Sequence, residues 1–427
     1  MIDRAMRKLG RREFLSAAAG AGVMIIKPEL VRGTAANSAI RLGLIGCGNR
    51  SRAVTTSMVT YNNARVVALA DIFQDQLDAA KKYYDGIAGP KGHPEIASTQ
   101  MFRGPRAYEA LVQSREIDAV VVASPDCFHP GHVEAVVAAG KHVYSEKPTG
   151  IDVKGARRYL QLGEKVQGRL SLAVGFQIRR APPFVELVRR IHAGALGTVA
   201  CAEGYYYTGT LKLPAWPNAS PAEKKLRNFY YYRELSGGIL IDQGIHVIDI
   251  FNWALQSHPL KACGMGGRKI RDDEGNCWDH YNLTYVYPGN IHVTFSSTQF
   301  NKGWWDVCER FFGSKGVSES HYSGALRIYG DAPWDANSGQ AAQPAGQFSA
   351  AGDFSDNLKD ADPEKGKQFI ESVVTGKYLN EAAQGAETTL SAILGRTAAE
   401  TGREITWDEL LRSDEEIDPG IDLEKLA

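Results

Sequence analysis

Short apolar runs alternate with longer polar or amphipathic stretches along the first third of the chain. The apolar runs lie at 40–45, 65–70, 117–123 and 141–145. Their residue types are those of buried parallel strands. The stretches between them with a helical composition are 49–59, 75–84, 108–113 and 131–139. Repeated β–α units with short connections predict an N-terminal Rossmann domain built on a doubly wound parallel sheet.

The pattern changes in the rest of the chain, which is predicted to form a second domain. Strands are predicted at 170–175, 198–207, 281–287 and 291–297, and helices at 183–192, 239–255 and 381–400, with a further helix beginning at 362. The later strands alternate apolar and polar residues, which is typical of an antiparallel sheet with one face in water. Residues 335–360 have the composition of a surface loop. The sequence therefore predicts an α/β protein whose C-terminal α+β domain carries a mainly antiparallel sheet.

A glycine turn ends the first predicted strand. Gly46 and Gly48 form the turn, and Asn49 and Arg50 begin the helix that follows. A turn without side chains lets the backbone approach a pyrophosphate, and a helix N-terminus offers free N–H groups. Ser51 stands where the dinucleotide-binding pattern usually has its third glycine. The arrangement predicts a nucleotide site, and a turn that needs glycine only for its geometry is the alternative.

An acidic residue ends the second predicted strand. Asp71 lies 25 residues after Gly46. A carboxylate at this point of a Rossmann domain accepts hydrogen bonds from the adenosine ribose hydroxyls and repels a 2′-phosphate. The predicted cofactor is therefore NAD rather than NADP.

The first 36 residues are predicted to lie outside the fold. They begin with a basic segment that contains Arg4, Arg7, Lys8, Arg11 and Arg12. The apolar run at 14–26 is too short to span a bilayer as a helix. The Arg11-Arg12 pair resembles a twin-arginine export signal, with an ordinary secretory signal or an uncleaved anchor as alternatives. We therefore expect a periplasmic or otherwise exported protein with no stable membrane span in its mature form.

Charge and cysteine content narrow the choice of partners. The chain has 49 basic and 49 acidic residues and no basic stripe, so no nucleic-acid partner is predicted. The six cysteines, at 47, 127, 201, 263, 277 and 308, show neither C-x-x-C nor metal-ligand spacing. They are predicted to be buried thiols, although a disulfide between two of them is left open. His129 and His132 have no further ligand pair nearby, so no metal site is predicted.

Two longer motifs resemble those of the Gfo/Idh/MocA oxidoreductases, the relatives of glucose–fructose oxidoreductase and inositol dehydrogenase. The first runs from Ala123-Ser-Pro-Asp to His129 and then to Glu146-Lys147-Pro148, and the second, Gly237-Gly238 to Asp249, contains Asp242 and His246. The resemblance covers about residues 40 to 400. It implies a large second-domain sheet near the cofactor, a homo-oligomer, a cis peptide bond before Pro148, and Lys147, Asp242 and His246 at the catalytic positions.

The residue types at these positions suit the oxidation of an alcohol. Asp242 and His246 lie four apart on the predicted helix at 239–255, so they face the same way. Histidine can accept a hydroxyl proton while hydride leaves the carbon. Asp242 can fix the imidazole or hold a second hydroxyl, and Lys147 can stabilise charge on the reacting oxygen. A surface or core pair is the alternative for Asp242 and His246 alone.

The remaining predicted site residues follow the ends of strands. The predicted cofactor-binding set is Gly46, Gly48, Asn49, Arg50, Asp71, Ser124, Pro125, His129, Glu146 and Lys147. The predicted substrate-binding set is Gln177, Arg179 and Tyr232. Two alternatives stay open, because His129 can cap the following helix and Arg179 can form a structural ion pair. The aromatic segment at 205–232 and Trp304-Trp305 offer faces for sugar stacking, although such clusters are as often core.

These expectations define the predicted domains and function. The domains are a twin-arginine signal peptide at 1–36, an NAD-binding Rossmann domain at 37–165, a substrate and oligomerisation domain at 166–400 and a C-terminal tail at 401–427. The predicted enzyme transfers hydride between a secondary hydroxyl of a sugar, cyclitol or glycoside and a tightly bound nicotinamide, since free cofactor is scarce outside the cytoplasm. Glycoside cleavage by oxidation and elimination is the alternative, although the family's glycosidase branch tends to lack the lysine at 147. A non-catalytic binding protein is a third.

Overall fold

The computed structural model describes residues 38–338 and 356–426. The predicted export signal at 1–36 and most of the predicted loop at 335–360 lie outside these residues, so both stay predictions. Both sheets of the protein belong to the unit that begins at Ile40.

Six parallel strands form the first sheet. They are β1 (Ile40–Ile45), β2 (Ala64–Asp71), β3 (Met101–Arg103), β4 (Ala119–Val122), β5 (His142–Ser145) and β6 (Leu172–Val174), in the spatial order β3-β2-β1-β4-β5-β6. The helices between them are α1 (Asn49–Tyr61), α2 (Gln74–Ala88), α3 (Ala107–Gln113), α4 (His129–Ala138) and α5 (Val153–Val166). The predicted Rossmann fold is confirmed. The strand order reverses between β1 and β4, where such sheets bind ligands beyond the carboxyl ends of their strands.

One predicted strand belongs to the other sheet. We assigned residues 170–175 to the start of the second domain, but β6 pairs in parallel with β5 and completes the first sheet. Leu172, Ala173 and Val174 are all buried, as expected for a strand covered on both faces. An apolar run of this kind does not show from sequence which sheet it joins. The boundary predicted at residue 165 therefore falls too early.

Nine strands form the second sheet. They are β7 (Val199–Thr208), β8 (Lys261–Gly267), β9 (His280–Tyr287), β10 (Ile291–Gln299), β11 (Asp306–Gly313), β12 (Gly316–His321), β13 (Leu326–Gly330), β14 (Trp334–Asp335) and β15 (Ile405–Thr406). Their order is β14-β13-β12-β11-β7-β10-β9-β8-β15. Only the β7–β10 pair is parallel among these described strands, so the predicted large, mainly antiparallel sheet is confirmed.

Helices cover one face of the second sheet. They are α6 (Pro182–His192), α9 (Ile245–Leu255) and α11 (Ala382–Thr401). The other helices of this part of the chain are α7 (Pro221–Arg227), α8 (Arg233–Ser236) and α10 (Ala361–Thr375), of which α10 packs on α1 of the first domain. Of the covering helices, α9 packs on β7 and β11, and α11 packs on β8 and β9. Side chains on β10 alternate accordingly, because Val293 and Phe295 are buried while Thr294 is exposed.

The predicted helix at 239–255 is not uniform. Its first part is one turn of π-helix, Leu240–Gly244, and α9 follows it. Gly237 and Gly238 precede the turn with φ angles of 74° and 90°, which favour glycine. Asp242 lies inside the π-turn and His246 lies in the first turn of α9, so the two residues are not related by regular α-helical spacing. π-Turns are frequent at functional sites.

The predicted C-terminal tail at 401–427 packs against both domains. It contains β15 and the helix α12 (Trp407–Arg412), and its later residues lie along the Rossmann domain. The backbone N–H of Ile417 donates to Asp152 Oδ2 at 2.8 Å, and Lys225 Nζ donates to the carbonyl of Pro419 at 3.2 Å. The fully buried Arg396 donates to the carbonyl of Ile151 and to the carboxylate of Glu415. The tail is therefore part of the fold.

Among the described residues, no helix is both long enough and apolar enough to cross a bilayer.

Candidate active site

The glycine turn after β1 leaves open space at the start of α1. Gly46 has a φ of 84°, and a Cβ atom there would lie 2.6 Å from the carbonyl oxygen of Ala123, so the turn requires glycine. A Cβ at Gly48 would meet no atom within 4 Å. No side chain caps the N-terminus of α1, which begins at Asn49. This uncapped end and the space before it fit the pyrophosphate of a dinucleotide.

Asp71 lies beside the same turn. Its Oδ2 accepts a hydrogen bond of 2.8 Å from the backbone N–H of Cys47, and its Oδ1 accepts one of 2.9 Å from Phe73. Burial raises the pKa of Asp71 above its usual value, although these hydrogen bonds oppose the effect. The carboxylate therefore holds the turn in shape, and it occupies the position from which a Rossmann acid meets the adenosine ribose.

The loops after β4 and β5 are joined by His129. Its ring nitrogens lie 2.7 Å from the carbonyl oxygen of Ser124 and 2.8 Å from that of Pro148. The hydroxyl of Ser124 lies 2.9 Å from Nδ1 of His132, whose pKa burial lowers to about 3. Pro125 separates Ser124 from the next turn. The two histidines thus hold these loops together, and no side chain caps α4, so the capping alternative for His129 is not seen.

Arg50 does not point a free guanidinium at the glycine turn. Its Nε lies 3.1 Å from Glu146 Oε2, its Nη1 lies 2.9 Å from Asp362 Oδ2, and its Nη2 donates to Gln177 Oε1 at 3.1 Å. Lys365 joins the same cluster at 3.6 Å from Glu146. The cluster ties α1, the end of β5 and α10 together. Arg50 and Glu146, predicted to bind cofactor, and Gln177, predicted to bind substrate, are therefore engaged with one another.

The electrostatics of this cluster are balanced. Burial by itself raises the pKa of Glu146, but the cations of Arg50 and Lys365 outweigh it and bring the pKa to about 2. Glu146 is therefore a carboxylate at neutral pH. Because two cations and two carboxylates face each other with little solvent, removing any single partner would leave an unpaired buried charge.

Lys147 and Asp242 meet at the carboxyl end of the parallel sheet. Lys147 Nζ lies 3.0 Å from Asp242 Oδ1 and also donates to the backbone carbonyl of Asp242. Both side chains are largely buried. The Lys147–Pro148 peptide bond is cis, as the family resemblance implied. The structure thus brings a strand end of the first domain onto the π-turn of the second.

His246 lies buried near this pair. Its Nδ1 has no hydrogen-bond partner, and its ring packs edge-on against Phe176. Burial lowers the pKa of His246, and the nearby cations of Lys147 and Arg50 lower it further. The imidazole is therefore neutral at neutral pH and can accept a proton. The sequence predicts that Asp242 fixes the imidazole of His246 or holds a second hydroxyl. The first role is not seen, because His246 Nδ1 has no partner and the carboxylate of Asp242 pairs with Lys147.

Sequence reasoning missed Asp126 as a site residue. Its side chain is 4% exposed, and its Oδ2 has no hydrogen-bond partner. Burial raises the pKa of Asp126 well above its usual value, the charge of Asp242 raises it further, and that of Lys147 opposes the shift. The charges of Asp242 and Asp126 also act on Tyr230, where they add to the effect of burial in raising the pKa of the hydroxyl. The available signal was a carboxylate two residues after Ser124, within the motif already singled out.

The other two predicted substrate residues have different surroundings. Arg179 donates to both carboxylate oxygens of Asp249 at 2.8 Å, and its guanidinium lies 5.4 Å from the ring centre of Trp253. Asp249 is 1% exposed and also accepts from Thr388. The structure therefore favours the ion-pair alternative for Arg179. Tyr232 is half-buried, with Lys225 Nζ 5.5 Å from its ring centre.

One group of metal-ligand side chains lies on the second sheet, away from these residues. Atoms of Cys308, Glu319 and His321 lie within 4.8 Å of one another. Arg310 donates to Glu319 Oε1 at 2.7 Å. Both ring nitrogens of His321 face carboxylate oxygens, one of Asp306 and the other Oε1 of Glu319. The pKa of His321 is raised to about 10, because hydrogen bonds to Asp306 and Cys308 outweigh the effect of burial. The group is a hydrogen-bonded ion cluster in which the imidazole carries a proton.

Two sequence profiles match this chain. Residues 40–175 match the profile described as "Oxidoreductase family, NAD-binding Rossmann fold", and residues 184–319 match that of the "GFO/IDH/MocA C-terminal domain". Together the two matches cover the parallel sheet, the π-turn and most of the second sheet.

Individual proteins are similar over much of their length. An inositol 2-dehydrogenase of Rhizobium meliloti (strain 1021) is 27% identical over 281 residues, which cover 65% of this chain and 74% of that protein. The structure of scyllo-inositol dehydrogenase from Lactobacillus casei with NAD(H) and scyllo-inositol has a TM-score of 0.65 at 19% identity and covers 87% of this chain and 99% of that one. A levoglucosan dehydrogenase in complex with NADH and levoglucosan has a TM-score of 0.66 at 16% identity, with coverages of 86% and 99%.

Proposed function

The chain belongs to the Gfo/Idh/MocA family of oxidoreductases, and from this we propose that it oxidises a secondary hydroxyl of a sugar, cyclitol or glycoside with NAD. The observation that carries the proposal is His246, a buried neutral imidazole whose Nδ1 is unpartnered beside the Lys147–Asp242 pair. A buried nitrogen without a partner costs free energy unless a ligand supplies one. A substrate hydroxyl fits that requirement.

The residues divide the reaction between them. His246 accepts the proton of the substrate hydroxyl, and the carbon's hydrogen leaves as hydride, so the alcohol becomes a ketone. Lys147 donates a hydrogen bond to the reacting oxygen and stabilises the negative charge that develops there. Asp242 holds Lys147 in place through its side chain and its carbonyl. NAD supplies the hydride acceptor when bound.

The first domain fits such a cofactor. The space before Gly48 and the uncapped start of α1 suit the pyrophosphate, and Asp71 suits the ribose hydroxyls. We propose NAD rather than NADP for a further reason. One nearby cation, Arg227, is already bonded to Asp75 and Glu223, so it is not free to bind a 2′-phosphate.

The substrate class rests on the pocket and on the named relatives. The relatives are named for inositols and for levoglucosan, which are cyclic compounds rich in hydroxyl groups. The site brings together the carboxyl group of Asp126, the ammonium group of Lys147 and the imidazole of His246, each within the electrostatic influence of Lys147 or its partner Asp242. These groups can donate hydrogen bonds to hydroxyls and accept hydrogen bonds from them.

We also propose export by the twin-arginine route and a homo-oligomer. The Arg11-Arg12 pair supports export, and fractionation of cells that express an R11K/R12K variant would test it. The outer face of the second sheet exposes Met265 and Tyr329, which are 71% and 49% exposed. The proposed homo-oligomer rests on the family resemblance of this large sheet, and light scattering of the purified protein would test it.

The first experiment is to denature the purified, exported protein and identify any released nicotinamide by mass. The intact protein is then offered inositols, levoglucosan and glycosides, and reduction of the bound cofactor is followed by its fluorescence. Ketone formation with stoichiometric cofactor reduction supports the proposal. Release of an aglycone without net reduction would instead support glycoside cleavage. Failure to bind either NAD or NADP would overturn both.

A further inference from the structure

A segment of the second domain reaches the first domain at the adenosine end of the cofactor cleft. We call residues 211–232 the cover segment. We propose that the cover segment retains the cofactor, and that the stacking of Arg227 between Phe73 and Trp216 is the contact that must open before the cofactor leaves. This inference rests on the proposed use of a dinucleotide.

The contact is a cation between two aromatic rings. The guanidinium carbon of Arg227 lies 3.7 Å from the ring centre of Phe73 and 4.5 Å from that of Trp216. Its Nη1 and Nη2 donate to the two carboxylate oxygens of Asp75 at 3.0 and 2.8 Å, and its Nε donates to Glu223 at 2.7 Å. The Arg227 side chain is only 10% exposed. Phe73 and Asp75 belong to the first domain, whereas the other partners belong to the cover segment.

The first-domain partners adjoin the predicted ribose site. Phe73 follows Asp71 by two residues, and its backbone N–H donates to Asp71 Oδ1 at 2.9 Å. Asp71 marks the adenosine half of a Rossmann cleft because it ends the strand next to β1. The Arg227 stack therefore lies at the rim of the adenosine subsite.

The other end of the cover segment reaches the catalytic residues. Tyr230 is three residues after Arg227, and its hydroxyl lies in the field of Asp242 and Asp126. The next helix, α8, packs against the turn Asp126–Phe128 that follows β4. The cover segment and α8 thus extend from the adenosine rim to the turn after β4 at the catalytic end of the cleft.

The cover segment is held in this position by hydrogen bonds within itself and to the rest of the second domain. Trp216 Nε1 donates to Asn228 Oδ1 at 3.2 Å, and Asn228 Nδ2 donates to the carbonyl of Pro214 at 3.2 Å. The backbone N–H groups of Asn276 and Cys277 donate to the carbonyl of Tyr231 at 2.9 and 3.1 Å. Because the segment is fixed to its own domain, separating Arg227 from Phe73 and Asp75 requires a movement of the segment or of the whole domain.

The alternative is that Arg227 only fastens the two domains together. In that case its removal would lower the melting temperature and leave cofactor release unchanged. If the cover segment retains the cofactor, release becomes faster even where the melting temperature is preserved. Measuring both quantities on the same variants separates the two roles.

The test loads the full-length protein with NADH and follows the loss of its fluorescence after a chase with excess NAD. We expect R227A and D75N to release NADH at least about tenfold faster than the unaltered protein, since each loses a charge-assisted contact at the rim. R227K keeps the charge but not the planar stack, so its rate of NADH release should lie between those of R227A and the unaltered protein. R189A is the matched control, because Arg189 lies on the surface and its side chain pairs with Glu186 alone among the described residues.

The outcomes are distinguishable. Release of NADH from folded R227A and D75N at the unaltered rate would overturn the inference and leave the proposed function standing. If R227A fails to fold, D75N decides alone, because Asp75 is exposed and its replacement removes only one side of the contact. If the unaltered protein binds neither NADH nor NADPH, the proposed function is overturned together with the inference.

Discussion

Lys147 Nζ lies 3.0 Å from Asp242 Oδ1, although 95 positions separate the two residues in the chain. Lys147 follows the last residues of a parallel strand, and Asp242 lies in a π-turn of the other domain. The candidate catalytic group therefore exists only when the two domains are assembled. The pair also fixes the direction of the Lys147 side chain, which otherwise has four rotatable bonds.

Replacing Lys147 should separate catalysis from cofactor binding. We expect K147A to lower kcat by about 10²–10³-fold, because the charge on the reacting oxygen loses its donor. The dissociation constant for NADH should change little, since the glycine turn and Asp71 are untouched. Steady-state kinetics and a fluorescence titration measure the two effects. A K147A protein with unaltered kcat would remove Lys147 from the reaction.

His246 should set the acid limb of the pH profile. Its pKa is lowered by burial and by the neighbouring cations, so the imidazole stays neutral, and active as a base, below the ordinary histidine pKa of about 6.5. We expect kcat/KM to hold down to that pH and to fall only at lower values. H246A should lose about 10²–10⁴-fold in kcat while NADH still binds. An acid limb above about pH 6.5 would contradict the assignment.

Asp71 should control the choice between NAD and NADP. Asp71 also accepts backbone hydrogen bonds from Cys47 and Phe73, so removing the whole side chain disturbs the turn as well. D71N keeps most of the shape and loses the charge. We expect D71N to bind NADP more tightly relative to NAD, with D71A weakening both cofactors. Calorimetric titrations with the two cofactors measure this, and an unchanged ratio in D71N would show that Asp71 does not select.

Arg179 should matter for stability rather than for substrate affinity. Its partner Asp249 is 1% exposed, and removing one member of a buried pair typically costs about 3–5 kcal/mol. We expect R179A to unfold at markedly lower denaturant concentration, with KM near that of the unaltered enzyme at temperatures where it stays folded. R189A, which alters an exposed ion pair, is the control. A raised KM in a fully stable R179A protein would return Arg179 to the substrate site.

The local pattern of apolar and polar residues predicted the local features of the fold. The apolar runs that became β1, β2 and β4 are buried on both faces, and the glycine turn between β1 and α1 follows from the chain itself. The pattern did not predict contacts between segments that are far apart in the chain. Arg50 pairs with Asp362, 312 positions away, and Arg179 pairs with Asp249, 70 positions away. Neither partner could be chosen from spacing, so both arginines were assigned to the nearest predicted ligand.

The assignment of residues 172–174 to the second domain shows the same limit. A short run of buried apolar residues is compatible with either sheet. Only its pairing with β5 shows that it belongs to the first. The π-turn was missed for a different reason, because Asp242 and His246 keep helical spacing in sequence while the backbone inserts an extra residue into the turn.

Glu309 should make the stability of the protein depend on pH. It lies on β11 with no exposed surface, its Oε1 has no partner, and Ser320 donates to its Oε2 at 2.8 Å. Burial raises the pKa of Glu309 to about 8. The native carboxyl therefore keeps its proton up to about pH 8, whereas the unfolded one releases it near the ordinary value of about 4.3.

Between these two pH values unfolding releases a proton, so the free energy of unfolding falls as pH rises and levels off above about pH 8. The side chain of E309Q does not titrate, so its free energy of unfolding lacks this pH dependence. E309Q should be about as stable as the unaltered protein near pH 4 and more stable by a few kcal/mol near pH 8, since each unit of pKa difference corresponds to about 1.4 kcal/mol. Urea unfolding across this range measures it. Glu319 is the matched control on the neighbouring strand, because Arg310 and His321 outweigh burial and lower its pKa. The stability that Glu319 contributes is lost only as pH falls below about 4.3, so E319Q should be less stable than the unaltered protein by an amount that stays constant between about pH 5 and pH 8. An E309Q curve parallel to that of the unaltered protein would show that Glu309 is ionised in the native state.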